Sequence, residues 1–124
     1  MPEIISTPTA LVQTQNGKRF YVNSGEIGVV NADTHILNIA NIGERDIIFK
    51  MNPFMDSVTT DNLYMKVKNN GVVIYDIVFD NQRSVDISSP IHFIIPANTS
   101  LEILMANQTS TSRNVGVSCY GKYI

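Results

Sequence analysis

Charge is scarce in this chain. Charged residues fill 16% of its 124 positions, against about a quarter in ordinary globular domains. Uncharged polar groups carry the solubility instead, with 13 Asn, 10 Ser and 9 Thr. Asn favours turns, while Ser and Thr tolerate exposed strand positions, so the profile is that of strands and loops. Tryptophan is absent, and Cys119 is the single cysteine, which excludes an intramolecular disulfide. Cys119 alternates with Val115 and Val117 and reads as a small core residue. Nine Lys and Arg are scattered, no cluster exceeds a pair such as Lys66 and Lys68, and the net charge is −2. Binding to nucleic acid normally requires a basic stripe, so no nucleic-acid partner is expected. No apolar run approaches the roughly 20 residues of a helical membrane span, so no membrane partner is expected either. Met1-Pro2-Glu3-Ile4 lacks the basic start and apolar run of a signal peptide. The expectation is synthesis in a reducing cytosol, with Asn98-Thr99-Ser100 and Asn107-Gln108-Thr109 as turn chemistry rather than glycosylation sites.

Chemistry-bearing clusters are equally sparse. His35 and His92 stand far apart, whereas a metal needs three or four donors. Asp76, Asp80 and Asp86 lie near one another, but the Asp-x-Asp-x-Asp-Gly order of a calcium loop is missing. No Gly-rich phosphate loop occurs. The sequence therefore predicts a non-enzymatic protein with no catalytic residues, no metal and no cofactor.

What is present is period-two alternation punctuated by turns. Residues 1–8 read as an extended N-terminal arm, since Pro2 and Pro8 forbid a helix. Residues 9–124 read as a single domain. Asn16-Gly17 and Asn70-Gly71 are two strong hairpin signals, because both residue types accept the positive φ of a type I′ turn. Strands are expected at 27–30, 34–42, 63–68, 72–79, 91–95, 100–106 and 114–123. Leu37 and Ile39 share a face of the second of these. A further strand at 47–51 is expected to return antiparallel to 34–42, and a short edge strand at 84–88. Residues 52–61 form the longest irregular stretch. No helical period of useful length occurs. Eight to ten short strands with regular turns predict an all-β antiparallel sandwich, jelly-roll-like or immunoglobulin-like. Asn107-Gln108-Thr109-Ser110-Thr111-Ser112 is expected as a solvated turn between the last two strands, at one end of the sandwich.

Three strands are apolar on both faces. In 72–79, Val73, Tyr75, Ile77 and Phe79 alternate with Val72, Ile74 and Val78, interrupted by Asp76. In 91–95, Ile91, Phe93 and Ile95 alternate with His92 and Ile94. Ile47 and Ile48 are both apolar. A sandwich sheet has one inner face, so apolar groups on the other are covered either by the chain's own arm or the 52–61 loop, or by another subunit; contiguous ones usually mark an interaction surface. The expected subunit or partner interface comprises Val72, Ile74 and Val78, Phe54 and Met55 of the long loop, and Ile4 and Ile5 of the arm. A carbohydrate-binding module is the main alternative outside viruses, and Tyr120 and Tyr123 are its candidate platforms.

The closing segment enters through Ile95-Pro96-Ala97-Asn98 and continues as Leu101-x-Ile103, Asn107, a polar turn, and Val115-x-Val117 ending in Gly121. It resembles the C-terminal hairpin of small virion proteins of tailed bacteriophages. Residues 34–41, THILNIAN, look like the matching leading strand. The resemblance covers about half the chain and fits capsid decoration (cement) proteins best. It implies a homotrimer on the virion surface that binds the major capsid protein of a phage shell and stabilises the seams between capsomers. Tail, fibre and baseplate β-domains share the pattern.

Overall fold

Alternation makes a segment a strand, but strand pairing decides which of its faces becomes core. The computed structural model describes residues 3–4, 11–13, 19–55, 62–79 and 91–124. Eleven strands and no helix run through them. They are β1 (Glu3–Ile4), β2 (Leu11–Gln13), β3 (Arg19–Asn23), β4 (Ile27–Val29), β5 (Thr34–Asn41), β6 (Ile47–Met55), β7 (Leu63–Asn69), β8 (Val72–Phe79), β9 (Ile91–Ile95), β10 (Leu101–Asn107) and β11 (Arg113–Tyr123). The first sheet has the order β1-β5-β10-β7-β8 and the second β2-β3-β11-β6-β9, with β4 also paired to β11. Every pairing is antiparallel. The fold is an all-β antiparallel sandwich. Residues 84–88 lie outside the described ones. Of the arm, Glu3 and Ile4 are extended and pair with Asn41 and Ile39 of β5.

The core fills the space between the sheets. Leu37, Ile39, Ile103, Met105, Met65 and Val67 come from the first sheet, and Phe20, Val22, Phe49, Met51, Val117 and Cys119 from the second; all are fully buried. Each such large side chain contributes about 1.5–3 kcal/mol on leaving water. Aromatic rings link the layers along one side. Phe20 meets Phe49 at 5.8 Å between centroids, Phe49 meets Phe93 at 5.6 Å, and Phe93 meets Tyr75 of the opposite sheet at 5.6 Å.

The Asn70-Gly71 hairpin forms as expected. Asn70 has φ 50° and Gly71 φ 78°, the left-handed values a type I′ turn requires. Asn70 is also tied to the neighbouring loop, with Ser100 N donating to its Oδ1 at 3.0 Å and its own N donating to Ser100 Oγ at 2.9 Å. Asn16 and Gly17 lie outside the described residues, but the strands that flank them pair antiparallel, Gln13 with Tyr21 and Leu11 with Asn23.

Three expectations are corrected. Residues 34–42 and 47–51 do not pair, since β5 belongs to the first sheet and β6 to the second. β10 and β11 are likewise no hairpin: each is a central strand of a different sheet, and residues 108–112 carry the chain across the sandwich. Alternation looks the same whether a strand's successor lies beside it or across the core. The third concerns residues 52–55, which continue β6 rather than opening a loop. Pro53 pairs with Val117 of β11, while β9 accompanies β6 only as far as Met51. Among the described residues, Pro53 therefore has a neighbour on one side only, the edge position in which proline is tolerated.

The crossing loop is anchored rather than merely solvated. Asn107 is buried; its Nδ2 donates to the Thr111 carbonyl at 2.8 Å and its Oδ1 accepts from Gln108 N at 2.7 Å. Gln108 Oε1 in turn accepts from Asn62 N at 2.9 Å. The loop's outer residues Gln108, Ser110, Thr111 and Ser112 are exposed. A second buried polar residue, Ser24, pins the step from β3 to β4: its Oγ accepts from Val117 N at 2.9 Å and donates to the Gly25 carbonyl at 2.8 Å.

Candidate functional site

Two surfaces stand out from the rest of the sandwich. The first is β8, which has only β7 beside it among the described residues and so forms an edge. Regular pairing places Val78 opposite Tyr64 and Asp76 opposite Lys66, with Tyr75 and Ile77 turned to the core. The register then slips: Val67 faces Tyr75, yet Lys68 faces Val73, which leaves Ile74 as an extra, bulged residue. A bulge shifts every residue beyond it by one position and so reverses its face. Val73, expected on the inner face with Tyr75, is therefore exposed beside Ile74 and Val78. The same slip takes Val72, expected on the outer face with Ile74 and Val78, to the side shared by Val67 and Asn69, where at the hairpin end it is still 63% exposed; Val78 is 47% exposed.

The remaining expected interface residues divide. Phe54 lies in β6 and is half-buried, its ring so close over Gly116 that a Cβ there would collide with it. Met55 closes the same strand. Ile4 pairs through its backbone with Ile39, and Ile5 lies outside the described residues.

The second surface is the outer face of the second sheet, where an open cavity of about 730 Å³ lies. Pairing lines up side chains in rows across β3, β11, β6 and β9. One row runs Tyr21, Tyr120, Lys50, His92; the next runs Arg19, Lys122, Ile48. All seven residues line the cavity. On the other flank stand Asn23, Ser118 and Asn52. Asn52 Nδ2 donates to the Tyr120 hydroxyl at 3.3 Å, and Asn23 Nδ2 donates to the Tyr21 hydroxyl and to Ser118 Oγ, both at 3.2 Å. Both tyrosine rings thus lean toward the same polar row. Among the described residues, no strand of the second sheet contains Asp or Glu, although the whole chain is net negative.

Tyr120 points outward, 40% exposed, as expected. Tyr123 does not. It shares the inner face with Cys119 and packs edge-on against Phe20 at 6.1 Å, with the Arg45 guanidinium 5.9 Å above its ring. Burial raises its phenol pKa above the ordinary value and Arg45 pulls it partly back. The chain lacked any signal for Tyr21, since its partnership with Tyr120 spans 99 positions and exists only through the pairing of β3 with β11. Away from β8, the first sheet and its flanking loop carry two ion pairs. His35 Nε2 lies 3.1 Å from Glu102 Oε2, and Lys66 Nζ lies 3.1 Å from Asp33 Oδ2, a pairing that raises the lysine's pKa. Among the described residues no three His, Cys, Asp or Glu converge as metal ligands, and no helix is long and apolar enough to cross a membrane.

No protein-family model matches the sequence, and no curated protein sequence matches it significantly. Among solved structures, the chain is similar to VP2 in the subviral particle of infectious bursal disease virus, at 15% identity and TM-score 0.46 over 94% of this chain and 33% of that one. It is also similar to a family 35 carbohydrate binding module from Clostridium thermocellum, at 17% identity and TM-score 0.43 over 97% of both chains. The chain thus spans about a third of the viral protein's length. The all-β antiparallel sandwich itself is established by the chain's own sheet topology.

Proposed function

We propose that this chain is a non-enzymatic assembly protein of a viral particle, of the capsid-decoration type, and that it docks through β8. The observation that carries the reading is the exposed aliphatic surface of Val73, Ile74 and Val78, with Val72 at the hairpin end, on a strand that is an edge among the described residues. Solvent-facing apolar groups concentrated on one strand mark a contact surface rather than a solvated one. The bulge and Asp76 interrupt this edge, which are devices that discourage open-ended strand addition. Docking therefore proceeds by side-chain packing between closed copies rather than by endless sheet extension. The proposal includes a homotrimer seated on the major capsid protein at the virion surface, as the sequence resemblance of the closing segment implies, although β10 and β11 do not form the hairpin on which that resemblance rested. Stabilisation of a shell then comes from buried area multiplied over many copies.

The test is the solution mass by light scattering at micromolar concentration, with and without added capsid shells. About three times 13.8 kDa is expected for the free protein, and the monomer mass for Val78→Asp. A wild-type monomer that also fails to sediment with shells would sink the proposal, as would a Val78→Asp protein that still forms the trimer.

A further inference from the structure

We infer that the outer face of the second sheet is a binding site for an acidic saccharide, a short sugar chain bearing ring carboxylates. This surface is on the opposite side of the sandwich from the outward side chains of β8 and does not depend on docking there. Its three rows supply the three things such a ligand needs. Tyr21 and Tyr120 are directly opposed on adjacent strands, a placement that sets two aromatic side chains next to each other for the carbon face of a sugar to pack on. Both phenolic oxygens accept a hydrogen bond from an asparagine amide. An oxygen that accepts there keeps its own hydroxyl hydrogen to donate to a ligand oxygen. Arg19, Lys122 and Lys50 flank the platform, all exposed, and no ion pair joins them to a carboxylate among the described residues. His92 closes the row.

The cavity of about 730 Å³ falls in the usual range for small-ligand sites. Four strands at a spacing of about 4.8 Å make it long enough for a short oligosaccharide. The cations call for an anion, and the amide and hydroxyl row calls for a ligand rich in neutral hydroxyls. A nucleic acid would need a longer basic track to replace its counterions, and an acidic peptide would leave the tyrosine platform without a flat partner. The backbone of the central strands β11 and β6 is paired on both sides at this level, so recognition falls to side chains.

The experiment is calorimetry and amide-shift mapping on the intact chain. The probes are trigalacturonate and 3′-sialyllactose, each beside its neutral counterpart, trigalacturonate methyl ester and lactose. Hexaglutamate and an oligothymidylate serve as other polyanions. At least one acidic sugar should bind saturably, tenfold or more tighter than its neutral counterpart and than either polyanion, with shifts centred on Tyr21, Lys50, Tyr120 and Lys122. Tyr120→Ala and Lys122→Gln should each weaken binding tenfold or more. Both residues are exposed, so an unchanged melting temperature shows that the loss is local. The inference is overturned if neither acidic sugar saturates, if neutral and acidic forms bind alike, if hexaglutamate or oligothymidylate binds as tightly, or if the shifts map elsewhere.

Discussion

At the scale of single residues, burial fixes chemical behaviour. Cys119 is completely enclosed, and desolvation of its thiolate pushes the thiol well above its ordinary value of 9.0. It remains a protonated, inert core group at neutral pH. A thiol reagent such as Ellman's should react with it only at the rate of unfolding, and fully at once in denaturant. The same shift has a consequence for stability. In the unfolded chain Cys119 ionises near 9.0, whereas in the folded chain it ionises later. Its stabilising contribution is thus complete below pH 9 and is lost as pH rises above it, by about 1.4 kcal/mol per pH unit. Tyr123 and Lys66, also raised, act with the same sign at higher pH. Denaturant midpoints measured between pH 8 and 10 should show the decline, and Cys119→Ala should remove the part that begins near 9. Gly121 belongs to this scale too. It faces inward between Phe20 and Phe49, where an added Cβ would collide with the Ile48 carbonyl oxygen. The glycine read from sequence as the end of a motif is there for close backbone approach.

At the scale of elements, the β7–β8 hairpin combines a strong local signal with an unannounced irregularity. Asn70-Gly71 was legible because φ above zero is cheap only for glycine and, less so, asparagine. A Cβ at Gly71 would meet nothing within 4 Å, so Gly71→Ala reports backbone strain alone. It should cost about 1–2 kcal/mol, read as a shift in denaturant midpoint with an unchanged slope. The bulge at Ile74 could not be read, because each residue of 72–79 is apolar except Asp76 and any register looks acceptable there. A similar slip in β5 pairs Ile103 with Leu37 but Leu104 with His35, and sends both Ile36 and Leu37 into the core. The connection 107–112 shows the same limit. Its polar composition announced a turn, yet only the assignment of β10 and β11 to different sheets shows that it bridges them.

At the scale of the whole molecule, the sandwich keeps two surfaces apart. The β8 edge is apolar and belongs to the first sheet, while the tyrosine and cation rows belong to the second. Independence of the two is itself testable. Lys122→Gln should leave the light-scattering mass unchanged, and Val78→Asp should leave acidic-sugar affinity unchanged. Coupled losses in either direction would mean that one surface does duty for both.

The sequence by itself determined the all-β class, most strand positions, the Asn70-Gly71 turn, the buried Cys119 and the surplus of apolar groups on residues 72–79. These follow from local properties, namely alternation, φ preference and hydropathy, which each residue carries wherever it is placed. Only the tertiary structure decided which strands are neighbours, where the bulges fall, that Tyr123 turns inward, and that Tyr21, Lys50, His92, Tyr120 and Lys122 share one face. Those outcomes depend on register between strands up to a hundred positions apart. Register is set by the packing of the whole core, and no local stretch encodes it.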